Sequence, residues 1–140
     1  MTGARNGRRG SAASASLVLL AASHALLLPI LAPAAAAADL AHGKRVFQTC
    51  RSCHVVDSDA NRFGPTLKGV VGRKAASIAG FSYSQAMKEA GAAGLVWDEA
   101  ALSEFLYSPK RKVPGTAMRF WGLWSQSEID DVIAYLKANP

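Results

Sequence analysis

Cys50-Arg51-Ser52-Cys53-His54 decides how the rest of the 140-residue chain is read. Two thiols three positions apart, followed at once by an imidazole, form the C-x-x-C-H attachment signature of a c-type haem. Each thiol can add to one vinyl group of the porphyrin, and the histidine beside the second thiol then falls beneath the iron. One segment would fix a cofactor covalently and supply its first axial ligand, His54.

Three other chemistries compete for the same residues. Cys50 and Cys53 are the only cysteines, so a four-thiolate zinc site is impossible, and a mixed site would have to recruit His42 and His54 at spacings that fit no common finger. A thioredoxin-like C-x-x-C needs a strand before it and a helix after it in an alternating α/β chain. Nothing in this chain alternates that way. A plain disulfide at three-residue spacing closes a small, strained loop. Haem attachment carries the reading once the rest of the chain is counted.

Towards the N-terminus, residues 1–38 read as an export signal, which places the protein in the periplasm. Arg5, Arg8 and Arg9 form a positive n-region, Leu17 to Leu31 is an apolar stretch interrupted by Pro29 and containing His24, and Ala36-Ala37-Ala38 offers a small-residue cleavage site before Asp39. The alternative is an uncleaved anchor, for which the apolar stretch is short. Cleavage leaves residues 39–140 as one domain, large enough to fold around a core and too small for two.

Loss of the three signal arginines lowers the net charge from +6 to +3, and two ionised haem propionates would lower it further, to about +1. The basic whole-chain balance therefore gives no support for nucleic-acid binding. What remains is local: Lys68, Arg73 and Lys74 in one region, and Lys110, Arg111 and Lys112 in another.

Along residues 39–140 the periodicity is helical. A first helix is expected from Asp39, as N-cap, to Cys50, with Gly43, Val46, Phe47 and Cys50 on one face. Residues 55–80 are rich in Gly, Asp, Asn and Pro and read as loop. A short helix is expected over Ser82–Ala90, ended by Gly91. Another starts after Asp98, carries Leu102, Phe105 and Leu106 on one face, and stops at Pro109. Ser125-Gln126-Ser127-Glu128 is a capping box, after which Ile129, Val132, Ile133 and Leu136 recur at i, i+3, i+4 and i+7. No run of alternating β-branched residues exists, so the fold class is all-α.

Eight segments in register now resemble class I cytochrome c, of the soluble bacterial kind close to the mitochondrial protein. They are Gly43-Lys44-Arg45-Val46-Phe47, Cys50 to His54, Gly64-Pro65-Thr66-Leu67, Gly72-Arg73-Lys74, Gly80-Phe81-Ser82-Tyr83-Ser84, Trp97-Asp98, Pro114-Gly115-Thr116-Ala117-Met118 and Ile133-Ala134-Tyr135-Leu136-Lys137. The resemblance implies that Met118 is the second axial ligand of one covalent haem c, held by an irregular loop, whereas Met87 packs in a helix. It implies that the Pro65 carbonyl accepts a hydrogen bond from the His54 imidazole. Arg73, Tyr83 and Trp97, with Thr116, match positions that hold a haem propionate. Gly43 and Phe47 match a crossing of the terminal helices against Tyr135 and Leu136.

One departure concerns Phe105, which stands where many relatives have a tyrosine bonded to the methionine sulfur; Tyr107 should face another side of its helix. Trp121 and Trp124 match no family role, and packing is their expected use ahead of the alternative, a partner site. With His54 and Met118 both bound, the iron would have no open position, so the expected function is one-electron carriage, without enzymatic activity. The expected partners of this monomer are a quinol:cytochrome c reductase and a terminal oxidase or photosynthetic reaction centre. They would dock transiently through Lys68, Lys110, Arg111 and Lys112, with Arg73 and Lys74 joining if their side chains are free. The alternative is a ligand-binding or peroxidase-type haem protein in which Met118 is labile.

Overall fold

The structure is a computed structural model that describes residues 37–140. The export segment at residues 1–38 therefore lies outside the described residues except for Ala37 and Ala38.

Asp39 opens the first helix as expected, its carboxylate accepting from the backbone N–H of Ala41 at 2.8 Å and of His42 at 2.9 Å. Helix α1 spans Leu40–Val46 and passes into a 3-10 turn at Phe47–Thr49. The expected α-helix to Cys50 is thus shortened, for a local reason. Thr49 donates its hydroxyl to the Val46 carbonyl at 2.9 Å, and the Cys50 N–H reaches back only three residues, to Phe47. The backbone tightens just before the first cysteine.

Helix α2 spans Gln85–Ala92, later than expected, because Ser84 rather than Ser82 supplies the cap, accepting from Met87 N–H at 3.3 Å. Helix α3 spans Glu99–Tyr107, with Asp98 accepting from Ala101 N–H at 2.7 Å. Pro109 ends α3 but also begins a short helix, α4, at Pro109–Lys112, where a missing N–H costs nothing. The basic run 110–112 therefore lies on a helical turn. Helix α5 spans Gln126–Lys137, and the Ser125 half of its capping box forms, with Glu128 N–H donating at 3.4 Å.

The core lies where α1 crosses α5 and α3 packs beside them. A Cβ on Gly43 would stand 2.0 Å from the Asp131 carbonyl oxygen, so only glycine permits this approach of α1 to α5. Phe47 meets Tyr135 there, ring centroids 5.4 Å apart. The expected α5 face is buried in full at Ile129, Val132, Ile133 and Leu136, each contributing about 1.5–3 kcal/mol of apolar burial. Between α1 and α2 the chain is turns and loop. Lys74 of this stretch forms an isolated antiparallel bridge with Val96, which follows α2, flanked by Trp97 N–H to the Arg73 carbonyl at 2.8 Å and Gly72 N–H to the Trp97 carbonyl at 2.8 Å. The architecture is all-α. No helix among the described residues is long and apolar enough to cross a membrane.

Candidate functional site

Cys50 and Cys53 are both free thiols, the first half-buried and the second exposed. They sit on one tight turn: the N–H groups of Cys53 and His54 both donate to the Cys50 carbonyl, at 3.0 and 2.9 Å. Burial pushes the Cys50 thiol pKa up, partly offset by the Thr49 hydroxyl. A 3-10 turn precedes this motif and turns follow it, which is not the strand and helix of a thioredoxin-like dithiol.

The turn delivers His54 to the interior, where 9% of it is exposed. Its Nδ1 lies 2.7 Å from the Pro65 carbonyl oxygen. A carbonyl can only accept, so Nδ1 carries the proton and Nε2 keeps a free lone pair. Burial holds the imidazole pKa below its ordinary value, against a smaller opposing effect of the Pro65 carbonyl. A neutral ring with one fixed N–H and one unspent lone pair is the form that ligates a metal.

Gly64 was legible in the sequence only as part of a motif, and the structure gives it a task. A Cβ there would fall 2.2 Å from Cε1 of His54. The glycine backbone lies against the ring face and Pro65 holds its edge. Asn61 and Ser58 steady the same loop: Thr66 N–H donates to Asn61 Oδ1 at 3.1 Å, and the Thr66 hydroxyl donates to the Ser58 carbonyl at 2.6 Å. Neither residue carries a sequence signal beyond its loop composition.

Arg73 has Tyr83 as a charge neighbour and Trp97 as a backbone partner. The Arg73 guanidinium gives one N–H to the Lys68 carbonyl at 2.8 Å and one to the Thr66 carbonyl at 2.7 Å. Three of its five N–H groups remain to be given. Burial lowers its pKa, with Tyr83 opposing, and burial raises that of Tyr83, with the Ile78 backbone and Arg73 opposing. Trp97 is buried against Phe105, ring centroids 4.8 Å apart, and is tied to Arg73 through the backbone. Arg73 is thus committed to the fold rather than free for docking.

Met118 stands on the irregular segment between α4 and α5, half-buried against the core. Its N–H donates to the Thr116 hydroxyl at 3.3 Å, and Thr116 N–H donates to the Val113 carbonyl at 3.0 Å. Thr116 therefore braces the loop and keeps its own O–H proton to give. Met87 is buried in α2, as expected of a packing residue. Trp121 and Trp124 are not packed: each is 83% exposed, beside a shallow apolar depression lined also by Leu123 and Phe120. None of the expected ligands lines that depression.

The basic residues fall into two groups. Lys68 pairs with Asp59 at 3.3 Å and Lys112 with Glu104. Lys110 instead places its Nζ 5.1 Å from the Trp121 ring, and Arg111 its guanidinium 5.2 Å from the Tyr107 ring. Tyr107 is 45% exposed, so it does face away from the core while Phe105 faces into it.

The cytochrome c family profile matches residues 40–140. Cytochrome c-554 of Methylosinus trichosporium is 46% identical over 124 residues, which is 88% of this chain and 91% of that protein. Cytochrome c2 of Agrobacterium tumefaciens is 43% identical over 99 residues, 70% of this chain and 89% of its own. Among solved structures, cytochrome cH from Methylobacterium extorquens superposes with a TM-score of 0.65 at 46% identity, covering 71% of this chain and 98% of that one. Cytochrome c2 from Rhodospirillum centenum gives 0.69 at 36%, over 72% and 98%.

An all-α domain with a C-x-x-C-H turn whose own histidine is buried and fixed, and with this likeness to electron-carrying cytochromes along its length, is a carrier of single electrons. The match over residues 40–140 makes the lineage specific: the chain belongs to the cytochrome c family. That membership implies a covalently bound haem c.

Proposed function

We propose that residues 39–140 carry one haem c, bound covalently through Cys50 and Cys53 and ligated axially by His54 and Met118. The observation that carries the assignment is the buried His54 imidazole, fixed by the Pro65 carbonyl at 2.7 Å with Nε2 unspent. Haem, when bound, supplies a one-electron Fe(III)/Fe(II) couple, and a neutral thioether opposite an imidazole raises its potential. The chain's own residues do the rest. Pro65 and Gly64 keep the ring in one orientation, and Thr116 braces the Met118 loop. Arg73, Tyr83, Trp97 and Thr116 have the donors that a buried propionate needs. A rigid set of ligands in both oxidation states keeps reorganisation small.

The export reading puts this carrier in the periplasm as a monomer. There it would exchange electrons with a quinol:cytochrome c reductase and a terminal oxidase or photosynthetic reaction centre. Lys110 and Arg111 support docking to an acidic face better than Lys68 and Lys112, whose charges are already paired. Exposed Trp121 lies beneath Lys110, so the basic turn is continuous with apolar surface.

The mass of the purified protein tests the attachment. One added haem is expected, surviving acid–organic extraction. Extraction of all the colour, or a haem that still resists acid–organic extraction from a Cys50→Ala, Cys53→Ala double variant, would overturn it.

A further inference from the structure

The backbone nitrogen of Asp39 lies 2.6 Å from Oδ1 of Asp131. The other oxygen of that carboxylate lies 2.6 Å from His42 Nδ1. Asp131 is one of few buried charged residues, 9% exposed, and it occupies the tightest point of the α1–α5 crossing, where its carbonyl opposes Gly43. Asp39 is also the residue that follows the expected cleavage site, so the nitrogen held by Asp131 is the one that proteolysis would free.

We infer that cleavage of the Ala38–Asp39 bond creates an ion pair, in which the liberated α-ammonium of Asp39 binds the Asp131 carboxylate and fastens α1 to α5. The inference rests on the export reading. A signal peptidase adds water across the amide: the C–N bond breaks, the water oxygen stays with Ala38 as a carboxylate, and the Asp39 nitrogen becomes –NH3+. No atom of the fold has to move, because the nitrogen is already in place. A single neutral N–H donor becomes a charged group with three, and charge-assisted hydrogen bonds are about twice as strong as neutral ones.

The surroundings favour a cation at this nitrogen only because of Asp131. On α1 the other charged or titratable neighbours of that carboxylate are His42 and Arg45. The Asp39 carboxylate is occupied with the N–H groups of Ala41 and His42. From α3, Glu99 is taken up by Lys137 of α5, and on α5 itself Asp130 accepts from Gln126. The processed terminus would thus complete a cluster in which one buried carboxylate serves an ammonium and an imidazole. An unprocessed chain has only the amide bond.

The test uses the haem-loaded protein secreted to the periplasm, and a second form that retains Gly-Ala ahead of Asp39. Mass spectrometry first establishes the terminus; a chain beginning at any residue other than Asp39 overturns the processing on which the pair depends. Asp131→Asn is then placed in both forms. The expected result is a melting-temperature loss at pH 6 larger by about 4–8 °C in the Asp39-start form than in the extended one. That excess should shrink as pH rises through the amine pKa. Equal losses in the two forms would overturn the ion pair while leaving the processing intact. Titration of the α-amine in the unsubstituted protein, by nitrogen-15 NMR, gives a reading that needs no variant. A pKa raised above the ordinary value of about 7.7–8.0 supports the pair, and an unshifted one overturns it.

Discussion

The Nδ1 of His54 and the carbonyl oxygen of Pro65 stand 2.7 Å apart, which fixes the imidazole tautomer before any metal is considered. A proline carbonyl at the end of a loop cannot swap roles, and a buried ring has no water to turn towards. The ring therefore presents Nε2 in one direction. The adjacent glycine completes the arrangement by leaving room for the ring face.

Gly64→Ala should break that arrangement, because the new Cβ would overlap Cε1 of His54. Overpacking of this kind costs about 1–3 kcal/mol. The haem-loaded protein is expected to melt lower by roughly 4–20 °C, given how melting temperature scales in a domain of this size. The Soret band should also move as the ring is displaced. An unchanged melting curve and spectrum would show that Gly64 is not needed.

Asp131 should make the fold acid-sensitive. Hydrogen bonds from His42 and from the Asp39 N–H hold its carboxyl pKa below the ordinary aspartate value. Its stabilising effect is then complete above the unfolded-state value of about 4 and is lost as pH falls through the lower folded value. Asp131→Asn removes that loss. The variant should be less stable near neutrality, with a flatter dependence of melting temperature on pH below about 4. Parallel curves for the two proteins would contradict this.

Charge reversal at Lys110 and Arg111 should slow electron transfer to an acidic-faced partner on the order of tenfold at low ionic strength, with convergence to the original rate at high salt. Reversal at Lys112 should do less, since Glu104 already neutralises it locally. Stopped-flow rates against ionic strength measure both. A flat salt response in the unsubstituted protein would remove the steering argument.

Phe105 is buried against Trp97, at the position where the resemblance puts a hydroxyl beside the Met118 sulfur. Phe105→Tyr should tighten the Met118 bond by about 0.5–1.5 kcal/mol, the usual worth of one hydrogen bond. Carbon monoxide binding to the reduced protein should weaken several-fold in consequence. Equal or stronger binding would mean that the added hydroxyl does not reach the sulfur.

The all-α architecture was readable where signals are local. Asp39, Asp98 and Ser125 each cap the helix expected of them, and the period of Ile129, Val132, Ile133 and Leu136 marks the buried face of α5 without ambiguity. Helix ends were less legible, because Thr49 tightening the turn before Cys50, or Pro109 opening a second helix, depends on hydrogen bonds that spacing does not reveal. The family resemblance named the Pro65 carbonyl as the partner of His54, and the two stand 2.7 Å apart. Gly64 escaped because a glycine in a Gly-rich loop looks like any other until a ring is seen against it. Trp121 and Trp124 were misjudged for the opposite reason: large aromatic rings predict burial on average, and only the loop's path shows both on the surface. The pairing of His42 with Asp131 joins residues 89 apart in sequence, and that of Lys112 with Glu104 depends on how α4 turns back on α3, so neither had a signature there.

The pairing of His54 with Met118 is the central claim, and the visible spectrum of the oxidised protein tests it most directly. A sulfur-to-iron charge-transfer band is expected near neutral pH. Met118→Ala should abolish it and lower the reduction potential by a few hundred millivolts, within the range of about 0.8 V that axial ligands control. The reduced variant should also bind carbon monoxide rapidly. A band that survives Met118→Ala, or rapid carbon monoxide binding by the unsubstituted protein, would contradict the ligand assignment and the closed iron on which simple electron carriage depends.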